Sequence, residues 1–124
     1  MNLEKFTLKA QEAITNALES VKKFSQQEVL PEHLLYSLIE DKKSIVRETL
    51  IKLGINCEEL LNRLNEFFSS LPKVYGSGKE AYVSSRFIEV VNYAKNFSKE
   101  FGDEYISSEH LLLGLAKENN SFFK

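Results

Sequence analysis

Two histidines, each preceded by a glutamate and followed by two leucines, are the residues whose chemistry stands out first. Glu32-His33-Leu34-Leu35 recurs as Glu109-His110-Leu111-Leu112, 77 positions later (33 to 110). A histidine beside a carboxylate could ligate a metal or move a proton. A metal site would need further convergent ligands, and the lone Cys57 falls far along the chain at the start of a separate helix, so no metal ligand set is read here. Each histidine occupies the same place in the first turn of a helix, which favours a structural or capping role. Glu32 and Glu109 are read as helix N-terminal charges rather than as an acid-base pair.

The elements that carry these residues are themselves repeated. The same offset, without gaps, pairs Thr7 with Ser84, Ile14 with Val91, Ala17 with Ala94, Phe24 with Phe101, Val29 with Ile106 and Leu38 with Leu115. Register held over that distance indicates an internal duplication. Each copy reads as one long helix, a short connection and a second helix that opens at Glu-His.

In the first copy, Phe6, Ala10, Ala13, Ile14, Ala17, Leu18, Val21 and Phe24 recur at three- and four-residue steps, with Thr7 as N-cap. Ser25 to Glu28 form the connection, and Pro31 suits the first position of the next helix, whose apolar face is Leu34, Leu35, Leu38 and Ile39. A third helix is expected from Ser44 to Leu53, with Ile45, Thr49, Leu50 and Leu53 on one side and Gly54 as its stop. Asn56 and Glu59 have the spacing of a capping box, with Ile55 and Leu60 as the staple. The fourth helix carries Leu60, Leu61, Leu64, Phe67 and Phe68.

Residues 69–83 contain Ser69, Ser70, Pro72, Gly76, Ser77 and Gly78 and read as a linker between the repeats. Gly76-Ser77-Gly78-Lys79 lacks the spacing of a phosphate loop. The second copy begins with a helix capped by Ser84, with Phe87, Val90, Val91, Ala94 and Phe101 as its core positions and Gly102 as its stop. Ser107 caps the next, in which Glu109 lies in the first turn and Leu111, Leu112 and Leu115 are buried. No stretch alternates well enough for a strand. The expected fold is all-α, two pseudo-twofold helical repeats: 1–68, the linker 69–83, and 84–124. Ser121, Phe122 and Phe123 fall on Ser44, Ile45 and Val46, so the second repeat is expected to be incomplete and the chain a piece of a longer polypeptide.

Composition narrows the function classes. The chain is 124 residues, 43% hydrophobic and 27% charged, which suits one domain with a modest core. With net charge −2 and no basic stripe, nucleic-acid binding is disfavoured. No signal peptide and no apolar run of about 18 residues is found, and one cysteine forms no internal disulfide, so a cytoplasmic setting without membrane partners is expected. Tyr93 and Phe97 lie roughly 80–120° from the centre of the Phe87-Val91-Ala94 face, where polar residues are usual. Two readings stand open: packing against the neighbouring repeat, or a partly exposed apolar groove for peptide.

Phe6-Thr7, the twice-used Glu-His-Leu-Leu and the duplication resemble the N-terminal domain of Clp-type AAA+ protein unfoldases. Leu71-Pro72-Lys73-Val74-Tyr75-Gly76-Ser77-Gly78 and Gly102-Asp103-Glu104-Tyr105-Ile106-Ser107-Ser108-Glu109-His110 are similar to the corresponding segments of ClpB-type disaggregases. The resemblance implies a stress-response chaperone module that is not an enzyme. It would precede two ATPase rings in a homohexamer and pass unfolded or aggregated polypeptide to them. ATP and magnesium belong to the full-length protein; no cofactor is implied for these residues. Carried over residue by residue, the substrate surface comprises the polar Thr7, Asp103 and Glu109 and the groove positions Tyr93, Phe97 and His110, the last departing from a purely apolar groove. The alternative is an adaptor-docking domain of a protease-associated ClpA or ClpC type, in which Glu32 and Glu109 would receive a cationic or phosphoarginine group.

Overall fold

The computed structural model describes residues 2–73 and 80–118. Gly76 to Lys79 and Ser121 to Phe123, on which the phosphate-loop and truncated-helix readings rest, lie outside the described residues. The elements run α1 (Leu8–Lys23), β1 (Glu28–Val29), α2 (Pro31–Glu40), α3 (Ile45–Lys52), α4 (Cys57–Ser70), β2 (Tyr82–Val83), α5 (Ser85–Glu100) and α6 (Ser108–Lys117). The fold is therefore all-α in bulk, as the apolar periodicity requires.

Local side-chain chemistry starts most of these helices. Thr7 Oγ1 accepts the Ala10 amide at 3.2 Å, and Ser84 Oγ accepts that of Phe87 at 3.0 Å. Ser44 and Asn56 cap α3 and α4, although at Asn56 only the forward half of the expected capping box forms. α1 and α5 end alike. Ser25 adopts φ +56° where its repeat counterpart Gly102 adopts φ +71°. A serine thus holds a left-handed conformation that glycine adopts at no steric cost.

The repeats pack around one core, α1 and α2 from the first and α5 and α6 from the second. Ala13, Ile14, Leu34 and Leu35 meet Phe87, Val90, Leu111 and Leu115 there, all buried. The two helix crossings differ instructively. A Cβ at Gly114 would lie 2.6 Å from the Val90 carbonyl oxygen, so α6 approaches α5 too closely for any side chain. Its counterpart Ser37 instead donates its hydroxyl to the Ala13 carbonyl at 2.7 Å.

Three expectations are corrected. First, strands exist: Glu28 and Val29 pair in parallel with Tyr82 and Val83. A symmetry-related bridge joins Phe6 to Ile106, with Thr7 N–H donating to the Ile106 carbonyl. The chain entering α2 is thereby tied to the chain entering α5, and the chain entering α1 to that entering α6. Two-residue strands are too short to show alternation. Second, Ser69 and Ser70 do not break the pattern but finish α4, their hydroxyls bonding back to the carbonyls of Asn65 and Phe67. Third, α3 buries Val46 and Leu50, whereas Ile45 and Leu53 are exposed. Leu50 keeps its expected place, and the centre of the buried face is turned by roughly 60° from the expected phase.

Candidate functional site

Each histidine closes a small network built on a seven-residue spacing. His33 is fully buried; its Nδ1 accepts the Leu30 N–H at 2.9 Å, so Nε2 carries the proton and donates to Gln26 Oε1 at 3.0 Å. Gln26 in turn donates to the Phe68 carbonyl at 2.6 Å. His110 repeats the arrangement: Nδ1 accepts the Ser107 N–H at 2.9 Å, and Nε2 donates to Asp103 Oδ2 at 2.8 Å. The imidazole thus takes the place of the capping-box glutamate, and the pairs 26–33 and 103–110 carry a legible but overlooked signal. Among the described residues no three His, Cys, Asp or Glu side chains group closely enough to hold an ion.

Burial pushes the His33 pKa down from 6.5 to about 4. The unfolded chain then binds a proton that the folded chain refuses between those values. Stability should fall as pH drops from about 6.5 to 4, by roughly 2–3 kcal/mol from this group, and be insensitive to it above about 7. Urea melts of the wild type and His33→Gln across that range check this. The variant should be weaker at neutral pH but lose less on acidification; parallel curves would remove His33 as the cause.

The two Glu-His glutamates have diverged. Glu109 is exposed in the first turn of α6. Glu32 is 2% exposed, and its Oε2 lies 3.2 Å from Arg86 Nη2. Arg86, on α5, also holds Glu118 through Nε at 2.6 Å and Nη2 at 3.2 Å. The hydrogen bonds to Glu118, then the charge of Glu32, hold the guanidinium well above its ordinary range. The cation that Glu32 meets is therefore the chain's own, supplied by the other repeat. Neither Arg86 nor Glu118 was singled out in the sequence, because the triad joins residues 54 and 32 positions apart.

Of the remaining site residues, Tyr93, Phe97 and Asp103 lie in the second repeat and Thr7 in the first. Tyr93 and Phe97 are half-buried, one turn apart on the outer face of α5. Phe101 continues the strip, its ring 6.1 Å from Phe97 and 5.9 Å from His110. Phe101 is 58% exposed, which corrects its assignment to the core. In the first repeat its counterpart Phe24 is covered by Phe68 of α4 at 4.6 Å. Lys117, at the end of α6, extends its ammonium over Tyr93 at 5.1 Å and Phe97 at 5.6 Å. Glu89 accepts the Tyr93 hydroxyl at 2.6 Å and raises its pKa. Asp103 is half-exposed beyond Phe101, whereas Thr7 is committed to capping α1 beside the Ile106 bridge. No helix among the described residues is long and apolar enough to cross a membrane.

The described residues thus form two clasped helical repeats with an aromatic strip along one edge. The chain belongs to the Clp repeat (R) N-terminal domain family, whose profile matches residues 5–124. It is 38% identical over 115 residues to chaperone protein ClpB of Bacteroides thetaiotaomicron, covering 93% of this chain and 13% of that protein. Among solved structures it resembles the Hsp104 N-terminal domain of Candida albicans, with TM-score 0.83 and 23% identity over 93% of this chain and 75% of that one. It also resembles the ClpV N-domain in its complex with a VipB peptide, with TM-score 0.75 and 21% identity over 92% and 71%. At these identities the structural likenesses establish the fold.

Proposed function

We propose that this domain binds unfolded or aggregated polypeptide along the Tyr93-Phe97 strip and delivers it to the AAA+ rings of a longer, homohexameric ClpB-type disaggregase. The observation that carries the reading is the exposure of the strip. Tyr93 and Phe97 follow one another at helical spacing on α5, both partly exposed, and Phe101, which caps the helix, is 58% exposed. Contiguous exposed apolar surface of this kind marks an interaction site. His110 and its partner Asp103 lie beside Phe101; with Thr7 and Glu109 they make up the polar part of the proposed surface, whose carboxylates would favour segments that carry positive charge. The peptide complex of the ClpV N-domain supports peptide binding by this fold, and the identity to ClpB supports a chaperone setting.

A second reading is adaptor docking, favoured by one observation: Glu109 remains exposed where Glu32 is closed by Arg86. A folded adaptor presenting a cation, or a phosphoarginine group, would then engage Glu109 alone.

Replacing Tyr93 and Phe97 together by serine tests the first reading. Binding of a reduced, permanently unfolded reporter protein, followed by fluorescence anisotropy, should fall at least about tenfold, equivalent to 1.4 kcal/mol. Helicity should be retained, since both rings are only half-buried. Unchanged affinity per folded molecule would leave the rings as packing residues and shift the site to Glu109.

A further inference from the structure

Resting on the peptide-binding reading above, we propose that Lys117 is a tethered occupant of the strip. The guest preferred at Tyr93 and Phe97 is then an unfolded segment bearing a lysine or arginine beside apolar residues. The geometry supplies the argument. One ammonium stands over two rings, 5.1 Å from the centroid of Tyr93 and 5.6 Å from that of Phe97. Aromatic faces carry negative potential and attract a cation at this range. Glu89, accepting the Tyr93 hydroxyl, adds negative charge beside the same ring. Lys117 is itself exposed, so burial does not force it there.

The duplication provides an independent observation. The counterparts of Tyr93, Phe97 and Lys117 in the first repeat are Asn16, Ser20 and Glu40. Rings and cation are present together in one repeat and absent together from the other, although the helices that carry them correspond. The three residues therefore form a unit added to the shared scaffold. A lysine serving only the negative end of its helix would need no rings opposite.

A guest lysine or arginine has to displace Lys117 to reach the rings. Its apolar neighbours can then lie on Phe97 and Phe101, while Asp103 and Glu109 favour its charge. Lys117 thus lowers affinity for every guest and sets a threshold that basic-apolar segments cross most readily.

The test uses the whole chain and two fluorescein-labelled extended peptides, one alternating leucine or phenylalanine with lysine, the other with glutamine for each lysine. Lys117→Gln should strengthen binding of the basic peptide about two- to fivefold, the range expected for an exposed cation–aromatic contact. The neutral peptide should gain less. Lys95→Gln, which removes one charge from α5, should leave the basic peptide within about twofold of the wild type. In NMR spectra of the free domain the Lys117 side-chain methylenes should show upfield ring-current shifts that vanish as the basic peptide saturates the site. Equal gains in Lys117→Gln and Lys95→Gln, or ring-current shifts that persist at saturation, would overturn the proposal. If the Tyr93/Phe97 double-serine variant binds both peptides like the wild type, the strip itself is not the site. If that variant fails to bind but Lys117→Gln changes nothing, the strip stands and only the role of Lys117 falls.

Discussion

Phe68→Ala is expected to destabilise the domain by about 3–5 kcal/mol, the usual range for emptying a buried phenylalanine site. The ring is fully buried at the meeting point of four others. It stacks on His33 at 4.5 Å with an interplanar angle of 4°, and lies 4.6 Å from Phe24 and 5.8 Å from both Tyr36 and Phe67. Few of these neighbours can collapse into the space. Phe24 ends α1, Tyr36 lies within α2, and His33 is held by Leu30 on one side and Gln26 on the other. The effect on His33 is a second readout. Water entering the cavity restores solvation to the imidazolium, so its pKa should climb from about 4 back toward 6.5. Urea denaturation combined with an NMR titration of the histidine ring measures both. A loss below about 1 kcal/mol with His33 still titrating near 4 would mean that α4 is dispensable to the first repeat.

Arg86→Met should be nearly as damaging at neutral pH. Removing one partner of a buried ion pair costs about 3–5 kcal/mol; Arg86 itself is 38% exposed, so solvent screening trims the expectation to about 2–4 kcal/mol. The penalty comes from what remains: the side chains of Glu32 and Glu118, only 3% and 4% exposed, lose their shared counter-ion. Glu32 Oε1 already has no hydrogen-bond partner among the described residues. Adding Glu32→Gln and Glu118→Gln to Arg86→Met should recover much of the loss at pH 7.5. Thermal melts at that pH decide it, and a deficit that the two glutamine substitutions do not rescue would show that the arginine acts through packing of its aliphatic stem.

These two residues illustrate what could and could not be read in advance. Phe68 was legible as a core position, because it falls at helical spacing from Leu60, Leu61 and Leu64. That it would cover His33, and that Phe101 would stay exposed, was not. Phe24 and Phe101 have the same residue type and the same place in the repeat, yet one is half-buried and the other 58% exposed. Burial of a repeated residue depends on what packs above it, and periodicity within its own helix carries no such information. α3 shows the same limit on a smaller scale. Its cap at Ser44 and its end at Gly54 were legible, but the choice of Val46 over Ile45 as the buried residue followed from how α2, α4 and α6 lie against it.

The candidate site divides similarly. Tyr93 and Phe97 stood out because apolar residues occupied a helix edge, and the structure keeps both half-buried there. Glu32 and Glu109 looked interchangeable, sharing a tetrapeptide and a place in the first turn. Arg86 separates them, closing Glu32 while Glu109 stays exposed.

The sequence by itself determined the duplication, the helices, their caps at Thr7, Ser44, Asn56, Ser84 and Ser107, and the capping place of the two histidines. The duplication is a match of residue types at one fixed offset, and the rest depend on side chains acting within about one helical turn, where residue type and spacing suffice. Only the tertiary structure decided the parallel pairing of Val29 with Val83, the seat of Phe68 on His33, the closure of Glu32 by Arg86 and the reach of Lys117 over Tyr93 and Phe97. Those contacts join residues 20 to 54 positions apart. They exist because burying the apolar faces of α1, α2, α5 and α6 against one another brings these side chains together, and no local rule encodes which polar or aromatic group the closed chain will place opposite another.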